Sequence, residues 1–153
     1  MLAALIEWLS ASGLTAWAGS GRVYPIANVA HLLGLVLLLG GIGIVDLRLM
    51  GLLQALPAAT LTRALTPFAI TGFVLMLLSG STMFAADAAS LIASPTFRWK
   101  LAIIAVALAN AAAFRWLLRP GIEGSGAGRA LSAGVSLGAW LTVAVLGRMI
   151  AYS

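Results

Sequence analysis

His31 lies inside an apolar run and is the only histidine among 153 residues. Neutral imidazole is the commonest metal ligand and titrates near neutrality, so a ring in that setting points to an axial haem or copper ligand, or to a proton carrier. Met76 lies at a similar depth in the next apolar run, and Met83 lies three residues inside its end. Thioethers suit Cu(I). Arg98, Lys100 and Arg148 fall at the ends of later runs, on the His31 side. Guanidinium and ammonium groups there would pair with porphyrin propionates. The expected site is therefore His31 as metal ligand, with Met76, Met83, Arg98, Lys100 and Arg148 around haem b or copper. One histidine excludes a bis-histidine haem within a single chain, so the second ligand would be methionine, water or a histidine of another chain. The alternative is structural: neutral His31 hydrogen-bonds a serine, threonine or backbone carbonyl of a neighbouring helix, worth roughly 0.6 to 2 kcal/mol.

Other chemistry is excluded more directly. Without cysteine, the chain has no disulfide, thiolate metal site, iron–sulfur cluster or cysteine nucleophile. It carries no Walker loop, His-Glu-x-x-His or dinucleotide motif. Glu7, Asp46, Asp87 and Glu123 sit at four separate places, which leaves no paired carboxylates for hydrolysis. No catalytic constellation emerges, and the chain does not read as an enzyme.

The elements that must position His31 follow from composition. Only 8% of residues are charged and 62% are hydrophobic, with a mean hydropathy of +1.09. A soluble domain carries roughly 25% charged residues, so lipid is the expected solvent. The net charge of +5 comes from eight arginines and one lysine set singly between apolar runs. They read as membrane-edge anchors, not as a nucleic-acid surface. Crossing a hydrocarbon core takes roughly 20 helical residues, and four stretches qualify: about 23–45, 64–86, 98–118 and 130–152. The third has only 14 residues between Lys100 and Arg115, and spans if those two side chains snorkel outward. Residues 1–18 are interrupted by Ser10, Ser12 and Gly13 and carry Trp8 and Trp17. This segment is expected to belong to the mature protein and to lie on the bilayer as an interfacial amphipathic helix. The fold class is an all-α, four-transmembrane-helix bundle forming one membrane domain over 1–153. A barrel would need alternating ten-residue strands.

Short links join the spans: 46–63 with Pro57, 87–97 with Pro95, and 119–129 with Pro120 and a Gly-Ser-Gly-Ala-Gly run. Arg22, Arg98, Lys100 and Arg148 share the face that holds both termini, against Arg48, Arg63, Arg115, Arg119 and Arg129 on the other. That count of four against five places the termini outside, on the periplasmic face. Asp46 is expected to lock helix ends by pairing with Arg115 or Arg119. Glycines in the first span and the Gly134-x-x-x-Gly138 spacing in the fourth allow close helix approach, within one chain or between two copies.

The run from Val29 through His31, Gly34 and Gly40-Gly41 to Asp46-Leu47-Arg48-Leu49-Met50-Gly51 resembles that of small bacterial four-span integral membrane proteins of unassigned function. Thr71-Gly72-Phe73 to Ser79-Gly80 and Phe97-Arg98-Trp99-Lys100 extend the likeness. More distantly, the order His31, Gly40, Gly41, Arg48, Gly72, Lys100 is similar to copper-resistance D type and HemJ-type membrane proteins. That resemblance implies haem ligation or copper handling at His31. The further histidines of those families are absent, and Asn110 and Phe114 stand in their place. The readings carried forward are a bacterial inner-membrane haem or copper protein, a non-catalytic subunit or anchor of a larger complex, and a small transporter or channel. The lipid bilayer is the first partner in each, and a homo-oligomer or larger assembly the second.

Overall fold

The computed structural model describes residues 2–118 and 126–152, and every regular element in them is helical. Two short helices, α1 (Leu2–Ala11) and α2 (Leu14–Ala18), precede α3 (Val23–Leu49) and α4 (Ala58–Ala86). Then come α5 (Ala88–Ala93), α6 (Pro95–Ala113) and α7 (Ala127–Met149). A π-helical turn, Phe114–Leu118, extends α6, and a 3₁₀ turn, Ile150–Tyr152, ends α7. The four long helices are apolar enough to cross a membrane, and the protein is a multi-pass membrane protein built as a four-helix bundle.

The spans run longer than hydropathy alone suggests. The second begins at Ala58, where Pro57 stands as N-cap, and the first continues to Leu49. Arg48 and Arg63 mark the edge of the lipid, whereas the helix continues until its backbone bonds find another partner. The third begins at Pro95, a favoured first helical residue, and the Ser94 hydroxyl caps it by accepting from the Phe97 amide at 3.3 Å. This earlier start gives the third span 23 residues up to Leu117, so Lys100 has no need to snorkel outward.

Two expectations about the connections are corrected. The 1–18 segment is not one helix: Gly13, at φ +77°, breaks it into α1 and α2. That left-handed conformation is one glycine adopts without a Cβ clash. The 87–97 link contains the helix α5, which Asp87 precedes as N-cap. The third link lies mostly at 119–125, outside the described residues.

Packing is set by small residues. At Gly72 on α4, a Cβ atom would stand 2.5 Å from the Leu38 amide nitrogen and 2.6 Å from the Gly34 carbonyl oxygen. At Gly41, one would stand 3.0 Å from the Ala69 nitrogen. The α3 and α4 backbones thus touch along their length, as helices in lipid do where small residues permit it. The α7 helix packs on both α3 and α6. The core comprises Leu38, Ala69, Ala107, Trp140 and Val143, with Phe73 edge-on to Trp140 at 6.2 Å between ring centroids. Ile26, Val36, Leu78, Leu131 and Val145 face outward. Trp8, Trp17 and Trp99 near one end and Trp116 at the other are also exposed, as aromatic side chains are at bilayer interfaces. Gly134 and Gly138 meet nothing within 4 Å, so that spacing does not serve packing within the chain.

Candidate functional site

Two places in the bundle hold buried polar chemistry. The first is His31. Its Nδ1 lies 3.0 Å from the Ser79 hydroxyl of α4, and that hydroxyl donates its single proton to the Leu75 carbonyl at 2.6 Å. With that proton on Leu75, Ser79 accepts from the tautomer that carries its proton on Nδ1, in which Nε2 holds the lone pair. This geometry matches the structural alternative read from the sequence, a histidine bonded to serine on a neighbouring helix.

The companions predicted for His31 divide into two groups. Met76 packs against Gly34, one turn along α3 from His31, its Cγ 2.8 Å from where a Gly34 Cβ would stand. Lys100 turns inward and lies within electrostatic reach of His31. Its Nζ is 3.2 Å from the position of a Cβ on Gly147, whose missing side chain makes the room. Met83, one turn beyond Ser79, is half-buried. Arg98 and Arg148 are exposed. Arg98 borders a shallow groove with Pro95 and Trp99, and Arg148 donates to the Tyr152 hydroxyl and covers its ring at 4.9 Å. These arginines do not gather over the histidine. A Cβ at Gly80 would lie 3.1 Å from His31 Cε1. With Gly34 and Gly72 also in backbone contact, α3 and α4 leave no slot between them for a porphyrin. The residues present do not fit a haem there. Among the described residues, no group of three or more His, Cys, Asp or Glu side chains converges on a metal position.

The second place lies toward the opposite end of the bundle and was not expected. A cavity of about 340 Å³ opens among α3, α4, α6 and α7, within the range of small-molecule sites. It reaches from Leu49 to Leu38 on α3, about 16 Å along the helix axis. Its inner wall is apolar: Leu38, Ala69, Phe73 and Leu108. Its other lining residues include Asp46, Thr62, Thr66, Ser136 and Arg115. Asp46 is only 6% exposed, and its Oδ2 has no hydrogen-bonding partner. The Ser136 hydroxyl is the one polar side chain set against the carboxyl. The indole Nε1 of Trp140, a residue 3% exposed, and the hydroxyl of Thr62 are likewise buried without partners. Buried polar groups in proteins are otherwise almost always satisfied.

The expected salt bridge from Asp46 to Arg115 is absent, and Arg119 lies outside the described residues. The physical reason is radial. Asp46 projects into the bundle, whereas Arg115 is an exposed side chain of the π-helical turn, where the extra residue per turn rotates the register. Beside the cavity, Asn110 is engaged with α7: its Nδ2 donates to the Ser132 carbonyl at 2.9 Å and its Oδ1 accepts from the Ser132 hydroxyl at 3.0 Å. A sequence signal for this site did exist. Thr62 and Thr66, like Ser132 and Ser136, are four apart, which places each pair on one helix face, at the same end of the bundle as Asp46.

Comparison with family models, with characterised proteins and with solved structures finds no match for this chain.

Proposed function

We propose that this protein is a bacterial inner-membrane protein that binds a small lipid-soluble molecule in the cavity beside Asp46. The observation that carries this reading is the nine-tenths-buried carboxyl whose Oδ2 meets no protein partner on the wall of that cavity. A carboxyl inside a membrane is costly and is retained where it serves function. Trp140 and Thr62, each with a buried polar atom that has no partner, line the same cavity. The apolar inner end suits a hydrocarbon tail.

The test uses a protein whose exposed tryptophans Trp8, Trp17, Trp99 and Trp116 are replaced by phenylalanine, leaving Trp140 as the reporter, in phosphatidylcholine nanodiscs. Decanol is expected to shift Trp140 emission saturably. Ala111→Phe, which adds a ring to the cavity wall, is expected to abolish the shift. An identical response in both proteins overturns the reading.

A second reading, copper at His31, is supported by the contact with Ser79. A histidine that ligates a metal through one nitrogen donates its other N–H to an acceptor, and the Ser79 hydroxyl stands 3.0 Å from Nδ1 to take that role. Nε2 and the Met76 thioether are donors that suit Cu(I). Anaerobic titration of the purified protein is then expected to take up one equivalent of Cu(I), lost in His31→Phe. Wild-type protein that takes up none overturns this reading.

A further inference from the structure

We infer that the occupant of the Asp46 cavity carries a protonated amine on an apolar tail; this inference rests on the reading of that cavity as a binding site. The cavity wall is short of positive charge where it is most buried. Among the described residues, Asp46 has the Ser136 hydroxyl as its side-chain hydrogen-bonding partner and forms no ion pair with a lysine or arginine. Among the described residues, no cationic side chain near that end is set against the Asp46 carboxyl. Arg48 donates to the Leu56 carbonyl at 2.6 Å and ties down the α3–α4 turn. Arg63 is exposed on α4, and Arg115 reaches the cavity only at its rim, from the exposed turn after α6.

Beside a neutral ligand the carboxyl sheds its buried charge only by taking up a proton, and a carboxylate ligand would add like charge. An ammonium group supplies both the charge and N–H donors for the carboxyl, and charge-assisted hydrogen bonds are the strong ones. Phe73 and Trp140 line the same cavity and offer apolar surface to a tail. The length of the cavity fixes the remaining chemistry. With polar groups toward the α3 C-terminus and Leu38, Ala69 and Phe73 toward the bundle centre, the ligand is an amphiphile. Its amine sits near the membrane edge and its tail points inward.

The experiment compares decylamine with decanol on the single-tryptophan protein in phosphatidylcholine nanodiscs at neutral pH, read by Trp140 emission. Decylamine is expected to bind at least about tenfold more tightly than decanol, the scale of a desolvated charge pair. That preference is expected to vanish in Asp46→Asn. The two-probe comparison on the wild-type side chain at position 46 stands even where the variant fails to fold. Equal affinity for the two probes, with both lost in Ala111→Phe, overturns the amine while the cavity reading survives. No response to either probe beyond that of Ala111→Phe overturns both.

Discussion

Gly72→Ala is expected to unfold the protein at markedly lower denaturant than wild type, with a loss at or above the top of the roughly 1–3 kcal/mol range for overpacked cores. The reason lies in which atoms the new methyl would strike. Two of its three neighbours are backbone, the Leu38 amide nitrogen at 2.5 Å and the Gly34 carbonyl oxygen at 2.6 Å. Backbone in mid-helix does not rotate out of the way as a side chain does. Relief requires α3 and α4 to separate, which also pulls Gly41 from Ala69 and His31 from Ser79. Gly138→Ala is the matched control, because nothing lies within 4 Å of its added atom. Its effect is expected to stay within about 0.5 kcal/mol, as for substitutions that touch nothing. Titration of purified protein in mixed micelles with dodecyl sulfate, followed by circular dichroism, checks both. Equal midpoints for the two variants would show that the helices do not meet at Gly72.

Asp46→Leu is expected to move stability the other way. The carboxyl is buried, has an unpartnered oxygen, and sits among apolar side chains. An Asp at the centre of a span costs roughly 2.5–3.5 kcal/mol on insertion scales. Asp46 lies nearer the end of α3, so the gain on removing it is expected at about 1–3 kcal/mol, less what the Ser136 hydroxyl contributes. In ligand-free protein, the thermal midpoint of Asp46→Leu is expected to rise above wild type. The same substitution is expected to remove the preference for amine. Higher stability joined to lost binding marks a residue kept for a ligand and not for the fold. A fall in the midpoint would instead assign Asp46 a structural partner. Asp87→Leu, at an exposed position after α4, provides the comparison for loss of a carboxylate at the membrane edge.

Much of the His31 region was legible in the chain because depth is linear in residue number. Counting residues along helices of fixed rise placed His31 and Met76 at one level, and that level is where Met76 packs beside Gly34. Azimuth was not legible. Arg98 and Lys100 are two residues apart, so they point in very different directions around α6: Lys100 reaches toward His31 and Gly147, while Arg98 is exposed. The same limit applied to Asp46. Its depth near a span end suggested a salt bridge, but its direction into the bundle makes it the lining of a cavity.

Composition and hydropathy by themselves determined the solvent, the number of spans and the helical class, because a lipid-exposed backbone must bond within its own helix. They also set aside cysteine chemistry and paired-carboxylate catalysis. Only the tertiary structure decided which small residues bring helices together, Gly34, Gly41 and Gly72 and not Gly134 and Gly138. It alone gave His31 its hydroxyl partner and left Asp46, Thr62 and Trp140, which line a cavity, each with a buried polar atom that has none. The physical reason is that transfer from water to lipid depends on how much apolar surface a segment carries. Packing and hydrogen bonding depend on the rotation of each helix about its axis, which contacts with its neighbours fix.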